Sequence, residues 1–144
     1  MDPLVRLFDE VRLLEHRLVQ VADKLHAGGR VSVPGRAVLE FLRRHGPTSV
    51  PDIARARYVT RQHIQSIVDA LTDGGLVQPA PNAAHRRSPL FGLTDRGRST
   101  IDSMQKREHQ LMQRRFTAID RHDIDTATAV LAAVRTALDD EDSR

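Results

Sequence analysis

The chain has 144 residues, of which 40% are hydrophobic, 28% charged and only 3% aromatic, and it contains no cysteine. Its length suits one domain, or one domain with an extension, and can bury a core, which so few rings oblige to be Leu, Val, Ile and Ala packed between helices. Lack of cysteine excludes disulfides, thiolate metal sites and thiol redox sensing. The net charge of +3 hides an asymmetry, since Arg30 to Arg98 holds eleven arginines against five acids (Glu40, Asp52, Asp69, Asp73 and Asp95), a net +6 between mildly acidic flanks. A basic middle of this kind suits contact with a polyanion.

The first residues, MDPLVRLFDEV, carry an acid at position 2 and no long apolar run, so no signal peptide is expected. No stretch reaches the length of a membrane span, and the expected location is cytoplasmic. Asp2 is a suitable cap and Pro3 a suitable first-turn residue for an opening helix. Along it Leu4, Leu7, Val11, Leu14, Leu18, Val21 and Leu25 recur at spacings of three and four, a heptad seam of about three heptads. Gly28 and Gly29 end it. So narrow and regular a seam predicts partner helices, hence a dimer.

A second helix is expected from about Pro34 to Arg44, burying Val38, Leu39, Phe41 and Leu42 and stopped by His45-Gly46-Pro47. Ser49 and Asp52 form a capping-box-like pair that opens a third helix, with Val50, Ile53 and Ala54 inward and Arg55 and Arg57 outward. Tyr58 and Val59 make a turn. Thr60 caps a fourth helix whose Ile64, Ile67, Val68 and Leu71 fall on one apolar stripe. That spacing leaves Arg61, Gln62, Gln65, Ser66 and Asp69 on the outer faces, and Gly74-Gly75 ends the helix. Next comes a hairpin: a strand starting at Leu76-Val77-Gln78, with Pro79 and Pro81 marking an edge, a basic tip from Asn82 to Pro89, and a return strand Leu90-Phe91-Gly92-Leu93. Thr94 caps a fifth helix beginning at Asp95, with an apolar face of Ile101, Met104, Leu111, Met112, Phe116 and Ile119. After a break at Asp120 to Asp123, Asp123 or Asp125 is expected to cap a last helix that buries Ala127, Val130, Leu131, Val134 and Leu138. The tail Asp139-Asp140-Glu141-Asp142 reads as disordered.

This order predicts a mainly α fold with a small β-hairpin wing, a winged helix-turn-helix flanked by dimerisation helices. Its parts are an N-terminal dimerisation helix (1–29), a DNA-binding domain (30–98) and C-terminal dimerisation helices (99–144). The chemistry of the fourth helix fits DNA. Arginine can bridge the two acceptors of guanine, and glutamine can pair with the donor and acceptor of adenine. Those side chains stand in the first two turns, the end that a helix-turn-helix presents to base edges. Adjacent arginines on a hairpin tip suit a narrow minor groove. Expected base-reading residues are therefore Thr60, Arg61, Gln62, Gln65 and Ser66, with His85, Arg86, Arg87 and Ser88 on the wing and Ser49, Arg55 and Arg57 on the DNA backbone. The expected dimer contacts are Leu4, Leu7, Val11, Leu14, Leu18, Val130, Leu131, Val134 and Leu138.

The run TRQHIQSIVDALTDGGLVQPAPNAAHRRSPLFGLTDRG resembles the DNA-binding core of the MarR family of bacterial transcriptional regulators. The matching features are Leu71-x-x-Gly74-Gly75-Leu76-Val77, the wing Asn82-x-x-His85-Arg86-Arg87, and Leu93-Thr94-x-x-Gly97; the flanking helices also fit the family plan. The wing departs from the family at His85, where Asp is common. The resemblance implies an obligate homodimer formed by the first helix and the last two. It implies major-groove reading by the helix from Arg61 and minor-groove contact by the wing arginines. It also implies a repressor-like role on a pseudo-palindromic operator, often relieved by a small molecule held between the dimerisation and DNA-binding parts. Such a pocket would be lined by the first helix, the second and the start of the fifth, with His16 or Arg17 as polar liners.

Catalysis finds no support: the seven histidines (16, 26, 45, 63, 85, 109 and 122) are scattered, and there is no HExxH, phosphate loop or nucleophile motif. No cofactor and no metal ligand set is expected. The alternatives are a metal-responsive regulator of the same fold, and a winged-helix module that binds protein or RNA.

Overall fold

The computed structural model describes residues 1–81 and 88–142. The elements in chain order are α1 (Pro3–Leu25), α2 (Val33–His45), β1 (Thr48–Ser49), α3 (Val50–Arg57), α4 (Arg61–Asp73), β2 (Val77–Ala80), β3 (Leu90–Leu93), α5 (Asp95–Arg115) and α6 (Arg121–Asp142). They fall into two compact units, 1–107 and 108–144. No helix among the described residues is long and apolar enough to cross a membrane.

In the first unit every helix starts on a side-chain oxygen that accepts a backbone N–H which the helix itself leaves unpaired. Asp2 takes Leu4 N–H at 2.7 Å, Ser32 takes Gly35 N–H at 3.1 Å, Ser49 takes Asp52 N–H at 3.3 Å, Thr60 takes His63 N–H at 3.1 Å and Thr94 takes Gly97 N–H at 3.0 Å. Proline occupies the first turn of α1, α2 and α3, where its missing donor costs nothing. The core joins α2 (Val38, Leu39, Leu42), α3 (Val50, Ile53, Ala54), α4 (Ile64, Val68, Leu71), Leu76, Val77 and the first part of α5 (Ile101, Met104). Phe41, Ile67, Phe91 and Leu93 pack against it half-buried. The core is almost wholly aliphatic, as the composition requires.

The hairpin acquires a third strand that the sequence pattern did not suggest. The sheet order is β1-β3-β2, all antiparallel, with Thr48 opposite Phe91 and Ser49 opposite Leu90. A two-residue strand shows no alternation, so only long-range pairing reveals it. Gly46, at φ +77°, ends α2 and turns the chain into β1, a left-handed conformation that a side chain would strain. β1 and β2 are then the two outer strands, and Pro79 sits on β2, exposed.

In the second unit four expectations need correction. α5 ends at Arg115, so Phe116 and Ile119 lie beyond its helical face, 49% and 52% exposed. α6 is capped by Asp120, which accepts His122 N–H at 2.7 Å, and not by Asp123 or Asp125. The reason is that the break is short and ends one residue before Arg121. Within the chain α6 buries none of its residues: Val130, Leu131 and Leu138 are exposed and Val134 is half-buried. The acidic tail, expected to be disordered, continues α6 as helix to Asp142.

Candidate nucleic-acid interface

α3 ends on Tyr58, which adopts the left-handed region at φ 56°, ψ 39°. Its N–H and that of Val59 bond back to the carbonyls of Arg55 and Ala54 at 3.4 and 3.1 Å, closing the helix. A non-glycine residue pays for this geometry by about 1–2 kcal/mol, and it makes the connection to α4 three residues long, Tyr58 to Thr60. A tight helix-turn-helix results, with α3 and α4 sharing one core.

α4 divides cleanly. Ile64, Val68 and Leu71 are buried and Ile67 is half-buried, while Arg61, Gln62, His63, Gln65, Ser66 and Asp69 are exposed. Arg61, Gln62, Gln65, Ser66 and Asp69 follow one another at helical spacing, so they form a single polar stripe. Thr60 Oγ1 satisfies His63 N–H; helix geometry leaves the N–H groups of Arg61 and Gln62 without intrahelical acceptors, and they face the positive end of the dipole. The end of α4 that carries the arginine and glutamine is thus also the end that attracts a phosphate.

One feature of the stripe went unseen in the sequence: Gln65 Nε2 donates to Asp69 Oδ1 at 2.8 Å. Their i, i+4 spacing is the signal that could have revealed it. The pair holds the amide in one orientation, with Nε2 on Asp69. Releasing it costs about 0.2–0.5 kcal/mol, whereas a bidentate contact to adenine contributes about 1–3 kcal/mol, so the base contact wins.

The residues expected on the DNA backbone separate. Arg57 is exposed. Arg55 is exposed and pairs with Asp52 at 2.8 Å, an i, i+3 surface pair; such pairs are worth about 0–1 kcal/mol and leave the arginine available. Ser49 is a correction. It is 5% exposed, lies in β1 opposite Leu90, and spends its hydroxyl on the α3 cap, so it presents nothing to a phosphate.

The wing stem is β2 against β3, from Val77 opposite Leu93 to Ala80 opposite Leu90. Ser88 is half-buried at its base, while His85, Arg86 and Arg87 lie outside the described residues. The stem is clamped to the end of α4. Thr94 N–H donates to Leu76 O at 3.1 Å, Thr94 Oγ1 donates to Gly75 O at 2.7 Å, and the same oxygen accepts Gly97 N–H. Gly97 packs so closely that a Cβ there would stand 1.9 Å from Leu76 O. This contact is the physical content of the Leu93-Thr94-x-x-Gly97 pattern: it holds the wing and α4 in one frame.

A cavity of about 200 Å³ lies where the end of α1 meets α2 and α5, lined by Ala22, His26, Val33, Arg36 and Met104 among others. α1 and α2 are elements expected around an effector pocket, but α5 contributes Met104 from its middle and not its start. His16 and Arg17 do not line it: their exposed side chains bond along α1, to Arg12 O and Gln20 Oε1. Among the described residues no group of three or more His, Asp or Glu is placed to hold a metal ion.

Comparison with known proteins agrees with this architecture. Residues 36–88 match the MarR family model. Over 72 residues the chain is 36% identical to the uncharacterised protein Rv2011c of Mycobacterium tuberculosis, covering 50% of each chain. Over 63 residues it is 36% identical to the HTH-type transcriptional repressor NicR of Pseudomonas putida, covering 44% of this chain and 40% of NicR. The chain spans about half the length, or less, of these curated relatives. Among solved structures it is similar to the MarR family transcription regulator SP03579 (TM-score 0.82, 22% identity, 98% of this chain and 93% of that one). It is similar to Staphylococcus aureus MarR in complex with salicylate and kanamycin (TM-score 0.81, 15% identity, 94% and 92%). It is also similar to the transcriptional repressor CouR bound to a 23-mer DNA duplex (TM-score 0.76, 23% identity, 88% and 89%). The fold is that of the MarR-family winged helix-turn-helix regulators, and within it residues 36–88 match that family's model.

Proposed function

We propose that the protein is a sequence-specific, duplex-DNA-binding transcriptional repressor that acts as a homodimer on a pseudo-palindromic operator. The observation that carries this reading is the exposed polar stripe of α4, with its free first-turn N–H groups, rigidly joined through Thr94 and Gly97 to a wing stem whose tip sequence is basic. Arg61, Gln62, Gln65 and Ser66 choose the sequence; Arg86 and Arg87 anchor and sense groove shape; Arg55 and Arg57 hold phosphates. Support comes from CouR, a repressor of similar fold bound to duplex DNA, and from NicR, a repressor.

The dimer explains α1. It buries no residue within the chain, and Leu4, Val11, Leu14 and Leu18 are exposed along one seam. Val130, Leu131 and Leu138 of α6 are exposed likewise. Apolar seams of this extent call for a partner surface, and a second copy is the partner that a heptad pattern fits. A small-molecule effector, as salicylate is bound in the Staphylococcus aureus MarR complex, would relieve repression from the cavity at the end of α1.

Selection of bound sequences from random duplex DNA tests the whole reading. It should return an inverted repeat whose half-sites lie about 10 base pairs apart, centre to centre, or a multiple of that. Recovery of no shared sequence, or of a single unrepeated site, contradicts it. In parallel, Leu14→Glu with Leu18→Glu should halve the sedimenting mass; a parent that is already a monomer defeats the dimer.

A further inference from the structure

We infer that the first unit carries a second small-molecule site, adjoining the cavity at the end of α1 at their shared Val31 and Ser32, that takes a medium-chain aliphatic carboxylate. It is a cavity of about 420 Å³ between the start of α2, the second half of α4 and the first turns of α5. Arg30 and Arg96 line it, and among the described residues neither makes an ion pair or a side-chain hydrogen bond. No carboxylate lines the cavity. The neutral polar groups at its wall are already engaged, since the Ser32 hydroxyl accepts Gly35 N–H and Thr100 Oγ1 donates to Arg96 O at 2.8 Å. Both arginines are exposed, at the mouth of the cavity, and no acid faces them from its wall, so an anion is the complement. The N-termini of α2 and α5 open beside it and add to the same field.

The remaining wall decides the body of the ligand. Ile67, Leu71 and Leu76 are aliphatic, and no aromatic side chain lines the cavity. A flat ring finds nothing to stack on, whereas a flexible chain can follow the branched surface and remove it from water. The placement also matters for function, resting here on the DNA-binding reading above. Ile67 and Leu71 belong to the packing face of α4, and α2 packs on it at Gly35, where an added Cβ would stand in ordinary contact with Leu71 Cδ2 at 3.5 Å. A chain seated between α2 and α4 would therefore alter how the base-reading helix is held.

Calorimetric titration of the 144-residue chain with octanoate, in the absence of DNA, tests the site. Octanoate should bind at millimolar concentration or below. Octanamide, with the same chain and no charge, and benzoate, with the charge on a flat ring, should bind at least about tenfold more weakly. Arg30→Gln and Arg96→Gln should each weaken octanoate about tenfold, and Ala70→Leu, which fills the cavity from α4, should abolish binding while the unfolding midpoint stays near that of the parent. Absence of octanoate binding, equal binding of octanamide or benzoate, or parent-like affinity in all three variants overturns the inference. Because the titration contains no DNA, a parent that binds octanoate but no duplex refutes the proposed function and upholds this site.

Discussion

Replacing Gly97 by alanine sets two effects against each other. Within a helix the change should gain about 1 kcal/mol, because alanine gives up less backbone entropy than glycine. Against it stands the carbonyl of Leu76, 1.9 Å from where the new Cβ would lie. That oxygen is backbone and cannot swing aside, so the start of α5 must retreat by more than an ångström. The retreat stretches Thr94 N–H to Leu76 O and Thr94 Oγ1 to Gly75 O, now 3.1 and 2.7 Å. Losing both costs about 1–3 kcal/mol, and the strain of overpacking adds about 1–3 kcal/mol. After the helix gain, the net expectation is a loss of about 1–5 kcal/mol. Urea unfolding followed by circular dichroism measures it as a fall in midpoint at constant slope. A variant as stable as the parent, or more so, would refute the claim that this contact clamps wing to helix.

Three further outcomes follow from the same geometry. Arg86→Ala and Arg87→Ala should weaken duplex binding without shifting the unfolding midpoint; parent-like binding of both, measured by fluorescence anisotropy, removes the wing tip from the interface. Gln62→Ala or Gln65→Ala should relax preference at one base position by about 1–3 kcal/mol per lost bidentate contact, read by titrating single-substitution duplexes; an unchanged preference profile means the glutamines do not read bases. Ile64→Ala should cost about 2–5 kcal/mol of stability because the side chain is only 2% exposed, and Ile67→Ala should cost less because that residue is half-buried; the reverse order in urea unfolding would contradict the assigned face of α4.

Much of the first unit was readable from short-range chemistry. Asp2, Ser49, Thr60 and Thr94 were each expected to cap a helix, and each does, because a cap depends only on the next few residues. The apolar stripe of α4 was equally clear, since a period of 3.6 is a local property. Long-range pairing was not. β1 is too short to carry a pattern, and its pairing with β3 is what buries Ser49 and takes it off the DNA-backbone side. The Thr94–Gly97 clamp was recognised only as a pattern; its cause, the approach of Leu76 O, joins residues brought together by the turn after α4. The acidic end of α6 misled for a different reason. Asp139 to Asp142 place like charges at the negative end of the helix dipole, which argues against helix, yet the helix continues through them.

The central claim is that α4 and the wing meet the phosphates and base edges of duplex DNA. Its most direct test is titration of the parent chain with the selected inverted-repeat duplex at several salt concentrations. Binding should weaken steeply, with log affinity falling by several units per log unit of salt, as expected when several phosphates are neutralised and their counterions released. Affinity that does not respond to salt, or that is the same for a scrambled duplex, would contradict the account.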